Sequence, residues 1–147
     1  KKEGYDPTRM GLLRASGLTI PAANNTFQGI TNAFVLRNLA DLDTFFRETH
    51  RTLQPGGKLV SLEINQPPGR IFGPLYQLYF MRIMPRIMKR LSGNPAAYTY
   101  LADSVSRVET PDKLLARMRD AGYHDARATP MLRGAVVLFE ATKATAK

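Results

Sequence analysis

Helix-like and strand-like patterns of apolar residues alternate along the chain, which favours an α/β architecture built in layers. One helix is predicted after Asp41, a good N-cap, with Asp43 in the first turn where the helix dipole favours an anion. Its apolar face repeats at helical spacing and comprises Leu42, Phe45, Phe46, Thr49 and Leu53. A second helix has Thr110 as its N-cap and Pro111 at its first position, and it ends at Gly122. Its apolar face comprises Leu114, Leu115, Met118 and Ala121.

Five stretches have the apolar content expected of β-strands, and turn residues separate them. They are residues 10–15, 27–36, 58–64, 125–129 and 134–141. The run Pro55-Gly56-Gly57 is expected to stop the first helix, and strand 58–64 follows at once. A helix, a tight turn and a strand make half of a βαβ unit, so we expect a parallel sheet. Residues 142–147 are expected to form a frayed tail.

The segment from residue 68 to residue 108 differs from the rest of the chain because it is rich in aromatic residues and methionine. In residues 75–91 these side chains alternate with Arg and Lys, and Pro85 must break or kink a helix there. A further helical piece is predicted at residues 97–108. One interpretation is a helix that packs its Tyr and Met residues on the sheet. The other is a lid over a lipophilic pocket, whose basic residues would meet anionic lipid headgroups.

Composition indicates one globular domain, since the 147 residues are 44% hydrophobic and 22% charged. No apolar run reaches the roughly 20 residues that cross a bilayer. The absence of cysteine excludes disulfides and thiolate chemistry and fits a reducing compartment, so we expect a cytoplasmic protein. His50 and His124 show no metal-ligand spacing and are expected at the solvated surface. The net charge of +9 suits an anionic partner, but without a recognised binding motif nucleic acid is not expected.

Several short motifs carry a resemblance to a known family. Residues 20–38 contain Ile-Pro, Asn-Thr-Phe and Ile-Thr-Asn-Ala-Phe-Val-Leu-Arg-Asn, which is similar to a family segment that reads LPF..NTFD.IT..F.LRN. Residues 53–59 resemble the LKPGG turn of class I methyltransferases, and residues 134–137 resemble a closing GVV strand. Residues 85–87 and 98–105 resemble the segments LPRI and SYRYL..SI. On these motifs the chain resembles the C-methyltransferases of ubiquinone and menaquinone biosynthesis, which use S-adenosylmethionine.

This resemblance implies a class I, Rossmann-like sheet of seven strands, with residues 1–147 as the C-terminal portion of a single domain. It also implies a first strand with a glycine-rich turn, a ribose-holding acid and a second strand, all before residue 10. No G-x-G-x-x-G run occurs in the 147 residues. Strand 27–36 would then present a long, apolar, unpaired edge. We expect that edge to pair with another chain, including a second copy, or the chain to be a fragment.

The resemblance implies cofactor-binding residues in two places. Ser16 and Gly17 fall where the family has a polar and a small residue near the adenine; the alternative is an ordinary turn with Gly17 at positive φ. Asn32, Ala33 and Phe34 end a strand, at the edge where open α/β sheets bind ligands. The family's small residue that contacts the cofactor, often serine, corresponds to Ala33. The alternative there is a core strand with a bend.

Arg37 and Asn38 are the catalytic residues that the resemblance implies. C-methylation of a quinol ring requires a nucleophilic ring carbon, which loss of a phenolic proton provides. The Arg37 guanidinium would favour that phenolate or order a water that accepts the proton, and Asn38 would orient it. The alternative is that Arg37 pairs with an acid while Asn38 begins the loop. Glu63, Tyr76 and Tyr98 are the expected substrate-binding residues, although a carboxylate such as Glu63 is more commonly a salt-bridge partner.

The function that follows from the resemblance is methyl transfer from S-adenosylmethionine to a ring carbon of a demethylated prenyl quinol. Such a lipophilic substrate also implies peripheral contact with a membrane. Two alternatives stay open: a methyltransferase with another small-molecule acceptor, and a non-catalytic chain that binds a partner chain or a membrane surface. The missing glycine-rich loop is the reason for the second alternative.

Overall fold

The computed structural model describes residues 11–67, 69, 72–83, 86–87 and 108–145, in which four strands form one sheet. The elements in chain order are β1 (Phe27–Ala33), α1 (Leu42–Thr52), β2 (Leu53–Ile64), α2 (Phe72–Leu78), α3 (Pro111–Asp120), β3 (Tyr123–Met131) and β4 (Val136–Lys143). A 3-10 turn, Leu36–Asn38, follows β1, and a π-helical turn, Tyr79–Ile83, continues α2. The predicted α/β architecture is confirmed. Tyr98 and almost all of the helix predicted at 97–108 lie outside the described residues.

The strands are ordered β1-β2-β4-β3 across the sheet. β1 and β2 are parallel and α1 connects them, as the βαβ pattern predicts, whereas β4 runs antiparallel to β2 and β3. Because β1 and β2 run in the same direction, their carboxyl ends meet at one edge of the sheet. The residues that follow β1 therefore lie beside the last residues of β2, including Glu63.

Helices α1 and α3 pack on one face of the sheet and bury part of the apolar faces predicted for them, while Leu42, Leu115 and Ala121 are only partly buried. Phe45, Phe46 and Thr49 are buried on α1, and Leu114 and Met118 are buried on α3. Burying side chains of this size stabilises the fold by about 1.5–3 kcal/mol each. The four apolar ones, Phe45, Phe46, Leu114 and Met118, join apolar side chains of the sheet in a single cluster, which includes Leu53, Leu59, Tyr123, Val137, Phe139 and Ala141.

The junction between α1 and β2 differs from the prediction. Leu53, expected on the apolar face of the helix, is instead the first residue of β2, and strand pairing continues through the Pro-Gly-Gly turn. Gly56 takes the left-handed φ of 78°. Gly57 lies so close to its neighbours that an added Cβ would be 2.8 Å from the carbonyl oxygen of Gln54 and 3.1 Å from that of Gln28. Only glycine allows the chain to pass here without displacing backbone.

Three further expectations about element bounds were wrong. Residues 11–15 form no strand, and an isolated bridge between Ser16 and Thr19 follows them. β1 ends at Ala33 and not at residue 36, because Phe34 takes a left-handed φ of 59° that breaks the strand. The C-terminal tail does not fray at residue 142, since β4 continues to Lys143.

β1 lies at one edge of the sheet. Within the described residues it pairs with β2 alone, and five of its seven residues are exposed. Ile30 and Asn32 are its two half-buried residues and face the same side. An open edge of this kind is a template for pairing with a further strand. Pairing of this edge with another chain or a second copy stays a prediction.

Candidate functional site

The chain turns sharply where β1 ends, and this turn positions the catalytic candidates. The Phe34 amide donates to the carbonyl oxygen of Leu62 over 2.7 Å, which holds the turn against β2. The Asn38 side-chain amide donates to the carbonyl oxygen of Phe34 over 3.2 Å. The turn therefore places the 3-10 segment Leu36–Asn38 beside the end of β2, with Leu36 buried in the core.

Arg37 and Glu63 form an ion pair at this edge, with 2.6 Å between Nη1 and Oε1. The same carboxylate accepts the backbone N–H of Arg37 over 3.3 Å and that of Ile64 over 2.9 Å. The Arg37 and Glu63 side chains are only 11% and 1% exposed. Charged groups so well shielded from water require partners of this kind. The alternative considered for Arg37, pairing with an acid, is present, and Glu63 is that acid; the catalytic role of Arg37 stays a prediction.

The ion pair borders a cleft of about 630 Å³ between the start of α1 and the start of α3. Arg37, Asn38 and Glu63 all line it. The other lining residues are Leu36, Leu39, Ala40, Asp41, Leu42, Asp43, Val108, Glu109, Leu114 and Arg117. The structure thus brings together three of the predicted site residues in one cavity, and the lining is rich in charged and amide groups.

Arg117 closes the far side of the cleft and was missed by sequence reasoning. Its guanidinium contacts Asp43 over 2.6 Å and Glu109 over 2.8 Å, which ties α3 to the first turn of α1. The hydrogen bond from Arg117 holds the pKa of Glu109 below its usual range. Because Arg117 and Asp43 are 74 residues apart, no local pattern announces this contact.

Asn32 points to the core side of the sheet, opposite Ser61 on β2. Its Nδ2 donates to the Ser61 hydroxyl over 2.7 Å. Its Oδ1 is buried and has no hydrogen-bond partner among the described residues. An unsatisfied buried acceptor costs about 1–3 kcal/mol, so a ligand that donates to it would bind favourably.

Ser16 and Gly17 lie in a loop that packs against α1. The Ser16 hydroxyl accepts the N–H of Leu18 over 3.1 Å, and the Thr19 amide donates to the Ser16 carbonyl oxygen. The predicted turn is present, but Gly17 has no positive φ. The absence of a side chain at Gly17 instead allows the loop to pack closely on α1, because an added Cβ would lie 3.3 Å from the Phe45 ring.

Two charged residues on the outer face of α1 hold this loop in place. Glu48 accepts the Ile20 amide over 3.0 Å and pairs with Arg51 over 2.8 Å. Arg51 also donates to the carbonyl oxygens of Ile20 and Ala22. The hydrogen bonds that the Glu48 carboxylate accepts, first from Arg51 and then from the Ile20 amide, lower the pKa of Glu48 to about 2. Sequence reasoning did not single out either residue.

The remaining predicted site residues that the structure describes do not lie at the cleft. Ala33 and Phe34 are exposed, and the Phe34 ring lies 5.7 Å from the Arg37 guanidinium carbon. Tyr76 on α2 is half-buried, and burial raises the pKa of its hydroxyl. Tyr76, Ser16, Gly17, Asn32, Ala33 and Phe34 are not among the described residues that line the cleft. Their assignment to cofactor and substrate stays a prediction.

The two histidines differ in their exposure to solvent. His124 is exposed, as expected, but His50 is half-buried with its ring 5.0 Å from that of Tyr123. In the described ranges no cluster of three or more His, Cys, Asp or Glu residues could hold a metal ion. The helices described there are also too short or too polar to span a bilayer.

Comparison with known proteins assigns the family. The model of the ubiE/COQ5 methyltransferase family matches residues 1–143. The chain belongs to this family. Its relatives include two proteins named demethylmenaquinone methyltransferase. The one from Mycolicibacterium vanbaalenii is 38% identical over 125 residues, which are 85% of this chain and 55% of the relative. The one from Thermus thermophilus is 41% identical over 111 residues, which are 76% of this chain and 50% of the relative.

A solved structure supports the fold of this ubiE/COQ5 family chain. Human N-acetylserotonin methyltransferase, in complex with SAM, matches 98% of the chain and 36% of its own length. The TM-score is 0.61 and the sequence identity is 15%, so this likeness concerns the Rossmann-like methyltransferase fold. The chain spans about half the length of the curated relatives that it matches.

Proposed function

We propose that residues 1–147 form the C-terminal portion of a C-methyltransferase domain that methylates a demethylated prenyl quinol with S-adenosylmethionine. The observation that carries the proposal is the Arg37–Glu63 ion pair at the common edge of β1 and β2, bordering the cleft. The names of the relatives, demethylmenaquinone methyltransferase, support the same acceptor class.

Part of the cofactor's chemistry fits residues of this chain. Asn32 has a buried acceptor with no partner in the described residues, and Ala33 and Phe34 are exposed at the edge where open α/β sheets bind ligands. The Ser16 hydroxyl already accepts one hydrogen bond, and its hydrogen is suited to an adenine nitrogen. These four residues, with Gly17, would hold S-adenosylmethionine. When bound, the cofactor would supply an electrophilic methyl group, whose bond to the sulfonium sulfur breaks on transfer so that a neutral thioether is the leaving group.

The acceptor ring must become an electron donor for a carbon–carbon bond to form. Loss of a phenolic proton to water gives a phenolate, whose charge a guanidinium in the cleft stabilises. Arg37 is suited to this because a guanidinium presents its N–H donors in a planar fork, whose orientation the contact with Glu63 fixes. After the new bond forms, the ring carbon releases its hydrogen as a proton. Asn38 lines the same cleft and orients the acceptor oxygen.

The cleft is better suited to the ring oxygens than to an isoprenoid tail, because charged and amide groups dominate its lining. In our proposal the tail lies under residues 68–108, a helical lid of which α2 and the turn Tyr79–Ile83 are the described helical parts. Glu63 and Tyr76, with Tyr98 outside the described residues, complete the acceptor site. The polar lining also favours a second candidate, a methyltransferase with a more polar small-molecule acceptor.

Kinetics of the gene product that carries this chain test the role of Arg37. Arg37→Ala should lower kcat by about 100-fold, as loss of one oxyanion donor does elsewhere. Arg37→Lys, which keeps the charge but not the fork, should recover part of that loss. Arg47→Ala, on the exposed side of α1, is the matched control and should leave kcat unchanged. An unaltered kcat in Arg37→Ala would refute the proposed role.

Two measurements separate the remaining functions. Methyl transfer to demethylmenaquinol, compared with polar phenols, decides between the two acceptor classes. Calorimetric titration of the 147-residue chain with S-adenosylmethionine decides whether this chain alone binds the cofactor. Tight binding would remove the alternative of a non-catalytic binding chain.

A further inference from the structure

An apolar stripe on α2 and the following π-helical turn faces solvent. Leu75, Leu78, Tyr79 and Ile83 are between 40% and 58% exposed, and Ile87 continues the series at 46%. Leu75 is followed by Leu78 and Tyr79, three and four residues later, and Ile83 follows Tyr79 after four more, so the first four lie along one side of the helical segment. We call these five residues the α2 stripe. A continuous row of large exposed apolar side chains marks an interaction surface.

The charged residues of the sequence segment that carries the α2 stripe are all basic. Arg82 and Arg86 are exposed within it, and neither pairs with a carboxylate of the described residues. Arg86 donates instead to the carbonyl oxygen of Arg82 over 2.9 Å. In the sequence, residues 64–102 contain no Asp or Glu, and the five basic residues are Arg70, Arg82, Arg86, Lys89 and Arg90. This segment is therefore complementary to a partner of uniform negative charge.

We propose that the α2 stripe, with Arg82 and Arg86, binds the surface of an anionic lipid bilayer. Apolar side chains enter the boundary between headgroups and acyl chains, while guanidinium groups contact lipid phosphates. A nucleic acid would satisfy the arginines but leave Leu75 and Ile83 in water, since phosphate contacts need charge alone. Tyr76, on the same helix, is half-buried, whereas the residues of the α2 stripe are exposed.

This proposal does not depend on methyl transfer, because lipid binding is measured without cofactor or quinol. The full chain is sedimented with vesicles of phosphatidylcholine alone or mixed with phosphatidylglycerol. Binding is expected only to the anionic vesicles and should weaken as salt is added. Equal binding to both vesicle types, or to neither, would overturn the proposal.

Variants separate the apolar from the charged contribution. Leu75→Ser/Leu78→Ser/Ile83→Ser should weaken the vesicle partition coefficient by about 100-fold or more, because three apolar side chains no longer enter the bilayer. Arg82→Gln/Arg86→Gln should weaken it by about 30-fold at low salt, as expected for two basic residues at an anionic surface. All substitutions are at exposed positions, and far-UV circular dichroism checks that each variant is folded.

The matched control removes similar side chains elsewhere. Leu12→Ser/Leu13→Ser/Arg14→Gln changes two leucines, 85% and 75% exposed, and one exposed arginine, and it should bind vesicles like the wild type. Equal loss of binding in this control would overturn the assignment of the surface. A shift from dimer to monomer in the stripe variant, without loss of vesicle binding, would assign the stripe to self-association instead. The proposal would also be refuted if the chain bound duplex DNA but not vesicles, and only the arginine variant lost that DNA binding.

Discussion

The guanidinium of Arg37 and the carboxylate of Glu63 link the turn after β1 to the end of β2, and the pair is almost sealed from water. The guanidinium donates to the carboxylate, which also accepts the backbone N–H groups of Arg37 and Ile64, so three donors converge on Glu63 at the edge of the cleft. The net free energy of such a buried pair is small, because desolvation offsets attraction. Substitution at this pair therefore destabilises the fold strongly only when one of the two charges is left buried without its partner.

Single and double substitutions should therefore differ. Arg37→Met or Glu63→Met alone should lower the free energy of unfolding by about 3–5 kcal/mol, because the remaining charge is buried without a partner. The double variant should recover most of that loss. Urea denaturation followed by circular dichroism measures all three. Arg127→Met, at the exposed pair with Glu140, is the control and should cost less than about 1 kcal/mol. A double variant as unstable as either single one would contradict this account.

Lys143 should be important for the junction between α1 and β2. Its ammonium donates to the carbonyl oxygens of His50 and Leu53 over 2.8 and 2.9 Å and to the Asn25 side chain over 2.8 Å. Lys143→Met removes all three donors and should lower the free energy of unfolding by about 2 kcal/mol. Lys58→Met, at an exposed position of the same sheet, should change it by less than about 0.5 kcal/mol. Thermal unfolding of both variants would show the difference.

His50 should make the fold sensitive to mild acid. Burial, chiefly, with the nearby charge of Lys143, lowers its pKa in the folded state, whereas a hydrogen bond with the Gly122 backbone opposes the shift. The unfolded chain thus binds a proton at His50 more readily. Stability is full above the unfolded pKa of about 6.5 and falls as the pH drops toward the folded value.

Urea midpoints at pH 7.5 and 5.5 test this pH dependence. The wild type should lose stability between the two, and His50→Gln should lose less. At pH 7.5 the variant should be about 1 kcal/mol weaker because the edge contact with Tyr123 is gone. His124→Gln, at an exposed position, should keep most of the wild-type pH dependence. An identical pH response of wild type and His50→Gln would exclude His50 as the source.

Gly57→Ala should destabilise the start of β2. The added Cβ would lie 2.8 Å from the carbonyl oxygen of Gln54 and 3.1 Å from that of Gln28, so backbone must move. We expect a loss of about 1–3 kcal/mol. Gly29→Ala on β1 is the control, because its Cβ would meet only the Lys58 carbonyl oxygen at 3.7 Å. Equal effects of the two substitutions in urea denaturation would contradict the close-approach argument.

The sequence by itself determined α1, α3 and the parallel pairing of β1 with β2. Each depends on short-range features: Asp41 as an N-cap that accepts the Thr44 amide, Pro111 at a first helical position, and a helix between two strands. Helical period, capping and crossover topology depend on residues that are near one another along the chain, so the sequence pattern is enough to predict them. The motif that includes Arg37 and Asn38 also lies, as the sequence predicted, at the carboxyl end of β1.

Only the tertiary structure decided which groups meet across the fold. Glu63 is 26 residues from Arg37, Asp43 is 74 from Arg117, and Lys143 is 90 from Leu53. Strand register and helix packing determine which of these distant residues come into contact, and the local hydrophobic pattern of the sequence predicts neither. The left-handed turn at Phe34 has the same origin: the hydrogen bond to Leu62 stabilises a backbone conformation that phenylalanine alone would avoid.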